Sequence, residues 1–171
     1  MQLLLIRHAI AEERADFART GRDDRYRPLT SEGRKRMRQG ARGLKELVPK
    51  IDLLATSPLT RAAQTGAILD STYGDLWEVE IPELTPEAEL PAFLAWLQRQ
   101  KQQTIAAVGH EPHLSRLLAW LITGEDQPFF AFRKGGACLL DLPEEVAPGR
   151  AQLLWAMTPS QIRRIGEREK K

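Results

Sequence analysis

Apolar and polar positions fall in blocks along this chain. Leu3–Ile6, the IDLLA run Ile51–Ala55 and the TIAAV run Thr104–Val108 are short apolar stretches closed abruptly by polar residues. Such runs suit strands covered on both faces. Glu78–Ile81 reads as a shorter strand, and Ala137–Leu142 and Gln152–Met157 as two late ones joined through Pro143 to Gly149. Between them the apolar spacing becomes helical. Thr30 or Ser31 offers an N-cap to a helix whose Met37, Ala41, Leu44 and Val48 keep to one face. Further helices are predicted from about Leu59 to Leu69, over Leu90–Gln98, and from about His113 to Thr123. The charged stretch 11–28 has no period and reads as loop. The segment after Pro159, SQIRRIGEREKK, reads as a solvated, fraying end.

Strand–helix alternation with apolar strands predicts an α/β fold, a mainly parallel central sheet with helices on both sides and the late strands in its C-terminal part. The 171 residues suffice for one core without staples, and no repeat or Pro/Gly/Ser-rich linker divides them. One domain over residues 1–158 with a solvated tail over 159–171 is expected. Composition adds exclusions. A net charge of +2 is too mild to imply nucleic acid. Cys138 is the only cysteine, which rules out an internal disulfide and a cysteine-based metal site and fits a reducing cytosol. The N-terminal apolar run is too short for a signal-peptide core, and Leu117–Ile122 is far below membrane-spanning length. A soluble, cytoplasmic protein is expected.

In open α/β sheets, ligands bind beyond the carboxyl ends of the strands. His8 with Arg7 ends the first strand, His110 ends the TIAAV strand, and Arg61 opens the helix after the IDLLA strand. Two of the chain's three histidines take these positions. Arginine presents a planar fork of permanent donors that suits phosphate oxygens. Neutral histidine offers a lone pair and can act as a nucleophile, while a second histidine donates a hydrogen bond or carries charge. A carboxylate pocket would use the arginines and leave the histidines unexplained. A zinc site is disfavoured, because the arginines repel a dication and no third ligand is evident. Phosphoryl transfer through a phosphohistidine accounts for all four residues.

LLLIRHA at the N-terminus resembles the Arg-His-Gly signature of the histidine phosphatase superfamily, which includes phosphoglycerate mutases and many phosphatases. RPLTSEGRKR (Arg27 to Arg36) is similar to the Leu-Thr-x-x-Gly segment opening that family's first helix. SPLTRAAQT (Ser57 to Thr65) is similar to its Ser-x-x-x-Arg-Ala-x-x-Thr motif, and VGHEPHL (Val108 to Leu114) to its Gly/Ser-His segment. The four motifs stand in family order. The resemblance implies a three-layer, phosphoglycerate mutase-like α/β/α fold, transient phosphorylation of His8, and phosphoryl oxygens held by Arg7, Arg61 and His110. It implies no metal and no organic cofactor.

Two departures from the family pattern bear on function. Ala9 stands where the family usually has Gly, and a residue this small is expected to preserve the pocket. Mutases and ester phosphatases of the family usually carry a Glu two residues after a Leu in the region of PELTPEAEL (Pro82 to Leu90), as proton donor to the leaving oxygen. Here Leu84-Thr85-Pro86 puts Pro in that place, with Glu83, Glu87 and Glu89 off register. An alkoxide needs that proton, and general acid help contributes about 10²–10⁴-fold. The imidazole of a phosphohistidine departs without it, because its P–N bond is labile. A short core with Pro-Glu-Leu-Thr-Pro here is similar to the SixA-type protein phosphohistidine phosphatases. Lacking a lid, it would admit a side chain displayed on another protein.

The resemblance implies as partner a histidine-phosphorylated protein of a signalling phosphorelay or of a phosphotransfer system, and a monomeric enzyme is expected. A small-molecule phosphomonoesterase using Glu83, Glu87 or Glu89 is the alternative, and a non-catalytic phosphoprotein-binding module a third reading. The basic stretch Gly33 to Lys45 reads as the solvated face of a core-packed helix, since no aromatics are interleaved to stack on bases. His113 lies one turn from His110, at the pocket border or merely in a first helical turn. Trp96, Trp120 and Trp155 read as core and Trp77 as partly exposed. The loop 11–28 follows the nucleophile and is expected to border the pocket mouth.

Overall fold

A computed structural model describes residues 1–167. Six strands form one sheet in the order β3-β2-β4-β1-β5-β6. These are β1 (Gln2–Arg7), β2 (Leu53–Thr56), β3 (Glu78–Glu80), β4 (Thr104–Gly109), β5 (Ala137–Asp141) and β6 (Gln152–Met157). The first four are mutually parallel; on the far side β5 runs antiparallel to β1, and the edge strand β6 antiparallel to β5. The helices are α1 (Arg14–Ala18), α2 (Ser31–Leu47), α3 (Thr60–Tyr73), α4 (Leu90–Gln98), α5 (His113–Thr123) and α6 (Pro159–Gly166).

Alternate residues of each strand feed two separate cores, as the pleat requires. Leu3, Leu5, Ile105 and Ala107 pack with Phe93, Leu97, Leu117 and Leu121 of α4 and α5. Leu4, Ile6, Leu54, Ala106 and Val108 pack on the other face with Met37, Ala41, Leu44 and Leu69 of α2 and α3. This is the expected three-layer α/β fold. Trp96 is buried, Trp120 and Trp155 are half-buried against the two cores, and Trp77 is 60% exposed.

Two expectations need correction. Residues 11–28 are not plain loop. Phe17, a buried anchor, pins α1, and a 3-10 turn over Asp24–Tyr26 begins at Asp23, whose carboxylate accepts from the Arg25 N–H (2.9 Å). Nor is the tail after Pro159 a solvated end as far as Gly166. Thr158 and Gln161 form a capping box, Pro159 starts α6, and Ile162 is fully buried under α2. Close approach is allowed by Gly43, where a Cβ would meet the Ile162 carbonyl oxygen at 2.0 Å. The tail's last residues, 168–171, lie outside the described residues. Among the described residues no helix is long and apolar enough to cross a membrane.

Candidate active site

The sheet register brings the chemistry together. Beyond β1, the His8 N–H donates to the Gly109 carbonyl (3.0 Å), and beyond β2 the Ser57 N–H donates to the Val108 carbonyl (3.0 Å). His8, Ser57 and His110 are thereby set side by side at the carboxyl edge of three adjacent strands. The His8 and His110 rings lie with centroids 5.0 Å apart. Arg61 joins them from the first turn of α3 and is almost fully buried.

Motif residues distant in sequence fix the segment after His8. The Ala9 N–H donates to Thr65 Oγ1 (3.0 Å), whose hydroxyl donates to the Arg61 carbonyl (2.7 Å). The Thr30 N–H donates to the Ile10 carbonyl (3.0 Å), and Thr30 Oγ1 caps α2 by accepting from the Gly33 N–H (2.9 Å). A Cβ on Gly33 would lie 2.0 Å from the Ile10 carbonyl oxygen, so only glycine lets α2 approach this closely. Ala9 itself has no positive φ, so an alanine there costs no backbone strain.

Hydrogen bonds set the protons of both histidines. His8 Nδ1 is 2.7 Å from the Ala9 carbonyl oxygen, which can only accept. Nδ1 therefore carries the hydrogen, and the lone pair is on Nε2. His110 Nε2 is 2.8 Å from Ser57 Oγ. Ser57 is fully buried, and its Oγ already accepts from the Leu59 N–H (3.3 Å). Among the described residues the Ser57 hydroxyl has no other acceptor, so it donates to Nε2 and His110 carries its proton on Nδ1. Burial above all, then the charges of Arg61, Arg7 and Arg27, pushes the His8 pKa down to about 3, against the pull of the Ala9 carbonyl. Burial, then His8, Arg61, His113 and Arg7, pushes that of His110 down to about 2. Both rings are neutral at pH 7.

Around them lies a pocket of about 210 Å³ lined by Arg7, His8, Glu13, Arg14, Arg27, Arg61, Pro86, His110, Glu111 and Lys134. Its walls carry four arginines and a lysine against two carboxylates. Arg7 Nη1 donates to the Phe132 carbonyl (2.6 Å), and Arg61 Nη1 donates to the Asp24 carbonyl (3.1 Å). The Asp24 carboxylate also lies 3.3 Å from Arg61 Nη1 and accepts from Arg27 Nε at 2.7 Å. The hydrogen bond from Arg27 holds that carboxyl below its usual range, against the effect of its partial burial. Arg7 Nε, Arg61 Nε and His110 Nδ1 are buried and have no acceptor among the described residues. Buried donors without partners are costly, and a bound anion would satisfy them.

The structure thus gathers His8, Arg7, Arg61 and His110 in one pocket. The segment 11–28, expected at the pocket mouth, supplies Glu13, Arg14 and Arg27 to the lining, whereas sequence reasoning missed Lys134 and Glu111 there and Ser57 and Asp24 behind it. Ser57 was visible as the first residue of its motif, and Arg27 as the residue before Pro28-Leu29-Thr30. Pro86 forms part of the wall, whereas Glu83, Glu87 and Glu89 do not line the pocket. Of these three, exposed Glu87 acts on Arg61 through space and Glu89 on Arg116. His113 is fully buried with its ring edge-on to Phe93 at 6.4 Å, outside the lining.

Residues 3–87 match the family model of the histidine phosphatase superfamily (branch 1). An uncharacterised protein of Picosynechococcus sp. is 34% identical over 139 residues, which span 80% of this chain and 82% of that protein. The chain belongs to the histidine phosphatase superfamily. Within that superfamily it is similar to phosphohistidine phosphatase SixA of Escherichia coli, at 29% identity over 167 residues covering 95% of this chain and 97% of SixA. The solved structure of the protein histidine phosphatase SixA complexed with tungstate matches with a TM-score of 0.79 at 28% identity, covering 95% of this chain and 99% of that one. A phosphoserine phosphatase of Entamoeba histolytica, 16% identical with a TM-score of 0.68 over 92% of this chain and 97% of that one, shares the fold. The resemblance read from the motifs, to the superfamily and within it to the SixA type, agrees with these relatives.

Proposed function

We propose that this superfamily phosphatase is a cytoplasmic phosphohistidine phosphatase that removes the phosphoryl group from histidine-phosphorylated proteins of signalling relays or phosphotransfer systems. The observation that carries the reading is the lone pair on His8 Nε2 beside three buried, unpartnered donors: Arg7 Nε, Arg61 Nε and His110 Nδ1. An uncharged nucleophile among fixed donors suits attack on a phosphoryl group whose oxygens take up those N–H groups. The names of the SixA relatives and the tungstate held by one of them, an oxyanion with the shape of phosphate, support the same reading.

His8 Nε2 forms a bond to phosphorus while the substrate's P–N bond breaks, its electron pair going to the partner's ring, which carries a proton on its other nitrogen and so leaves as neutral imidazole. Water then attacks phospho-His8, the P–Nε2 bond breaks, and orthophosphate departs with Nε2 restored as a lone pair. Arg7, Arg61 and His110 hold the transferring oxygens in both steps. Pro86 in the wall supports a substrate whose leaving group needs no acid.

A second reading, a phosphomonoesterase, is favoured by one observation, the proximity of the Glu87 charge to Arg61. The test is a paired rate comparison with His8→Ala as control in each arm. One substrate is a histidine-phosphorylated protein domain and the other a panel of phosphate monoesters. Fast loss of protein phosphohistidine with slow ester hydrolysis, both abolished by His8→Ala, is expected. Efficient ester turnover would transfer the assignment to the monoesterase.

A further inference from the structure

Lys134 stands between two cavities. On one side it lines the pocket of His8. On the other it lines a second cavity of about 200 Å³, between α2, α6 and the turn before β5, whose walls include Arg36, Arg133, Arg163, Thr158 and Ser160. Ala9, the residue after the nucleophile, also faces this second cavity. Four cations and no carboxylate line it. Arg36 is paired with Glu32 one turn away on its own helix (2.6 Å). The side chains of Arg133, Lys134 and Arg163 make no hydrogen bond or ion pair with the described residues, although Arg163 acts on Glu32 through space.

We propose that this second cavity is an exosite for the carboxylate side chains that surround the phosphorylated histidine on the protein substrate. The inference rests on the reading of the chain as a phosphatase of histidine-phosphorylated proteins. Its cations are exposed or half-buried, unlike the buried donors around His8. They lack the desolvated clamp that a transferring phosphoryl group needs. Partly solvated cations attract anionic groups without holding them in one geometry, which suits steering and orienting an acidic protein surface. Lys134 makes the positive field continuous from the exosite to the pocket, so a substrate seated on one is directed to the other. No aromatic side chain lines the cavity, so it offers bases nothing to stack on.

The test compares wild type with the double variant Arg133→Glu/Arg163→Glu on two substrates. One is a histidine-phosphorylated phosphotransfer domain with acidic residues beside its histidine, and the other is phosphoramidate, a small P–N compound too short to reach the second cavity. On the domain, KM should rise about tenfold or more with kcat unchanged, and the salt dependence of kcat/KM should flatten. Phosphoramidate turnover should not change. Arg133→Lys/Arg163→Lys, which keeps the charges, should restore the wild-type KM.

Polyglutamate should inhibit the domain reaction of wild type and not that of the double variant. Equal losses on both substrates would overturn the exosite by assigning these arginines to the phosphoryl clamp or to the fold. Unchanged parameters on both would also overturn it. So would competition by a polyribonucleotide, but not polyglutamate, that disappears in the variant, since it would hand the cavity to nucleic acid. Failure of wild type to dephosphorylate the domain at all would overturn the proposed function itself, and is distinguished from the exosite's failure by being visible before any variant is made.

Discussion

Ser57 Oγ lies 2.8 Å from His110 Nε2, and both groups are buried. The serine fixes which nitrogen of His110 holds the proton, and so which one is free to donate to a phosphoryl oxygen. It acts through the histidine and is a positioning residue. Ser57→Ala removes the one partner that Nε2 has among the described residues and lets the ring change tautomer. A fall of about 10- to 100-fold in kcat is expected, from a loss of roughly 1–3 kcal/mol. Nitrogen chemical shifts of His110 should move from the Nδ1–H form toward a mixture. A lowered kcat with an unchanged tautomer would refute the positioning role.

Acid stability follows from the three buried histidines. Their pKa values are pushed down to about 3 for His8, 2 for His110 and 4 for His113, by burial first in every case. Each folded value lies below the unfolded value of about 6.5. Between those limits the unfolded chain binds more protons, so stability rises with pH and falls as pH drops below about 6.5. His113 lies outside the pocket lining and isolates the effect. His113→Phe should remove on the order of 3 kcal/mol of the stability lost between pH 7 and pH 4. Melting curves across that range provide the check. An equal acid slope in variant and wild type would refute it.

Much of this architecture is legible in the sequence because burial writes itself into apolar runs. Leu3–Ile6 and Thr104–Val108 are strands covered on both faces, and parallel pairing sets their polar ends, Arg7-His8 and His110, next to one another. Short elements whose stability comes from a few side chains are harder to read. In α6 only Ile162 and Gly166 are buried, so its arginines dominate the pattern, and the capping box was the one usable signal. Residues 11–28 depend on Phe17 and on Asp24 bridging Arg27 and Arg61, a contact between residues 37 apart that no local period records.

The Leu-Thr-x-x-Gly motif has a steric reason here. A methyl group on Gly33 would come within 2.0 Å of the Ile10 carbonyl oxygen, which is backbone and cannot rotate away. Gly33→Ala must push α2 off the segment that follows His8. Destabilisation of about 1–3 kcal/mol is expected, together with a loss of kcat at temperatures where the variant is still folded. Thermal melting paired with assays well below the midpoint separates the two effects. Retention of full kcat in the folded variant would show that the 9–11 segment tolerates displacement.

Glu111 Oε1 is buried without a hydrogen-bond partner among the described residues, in a pocket it lines together with Glu13, Pro86, the two histidines and five cations. In the proposed reaction a carboxylate there can accept a proton from the water that attacks phospho-His8, the half for which Pro86 supplies no base. Glu111→Gln should slow this second half by about 10²-fold and leave the first half intact. The phospho-His8 form should then accumulate, with a burst of released, dephosphorylated partner protein. A slow reaction without burst or accumulation would place Glu111 in the first half or in binding.

Pro86 offers the sharpest test of why this pocket should favour a P–N substrate. Pro86 lines the same pocket as His8 and Arg61, so a side chain at this position is placed near the reacting groups. Pro86→Glu would supply the proton donor that an alkoxide requires. The surrounding arginines favour its ionised form and limit the gain until a phosphoryl dianion offsets their charge. An increase of about 10²-fold in kcat/KM on alkyl phosphates is therefore expected, at the low end of general acid effects. Aryl phosphates with good leaving groups should gain little, and protein phosphohistidine, whose imidazole leaves unaided, should change by no more than a few-fold. That graded response across leaving groups would identify proton donation as the missing function. A uniform gain would mean that the substitution merely opened the pocket, and no gain on alkyl phosphates would show that something other than an acid restricts this enzyme to its substrate.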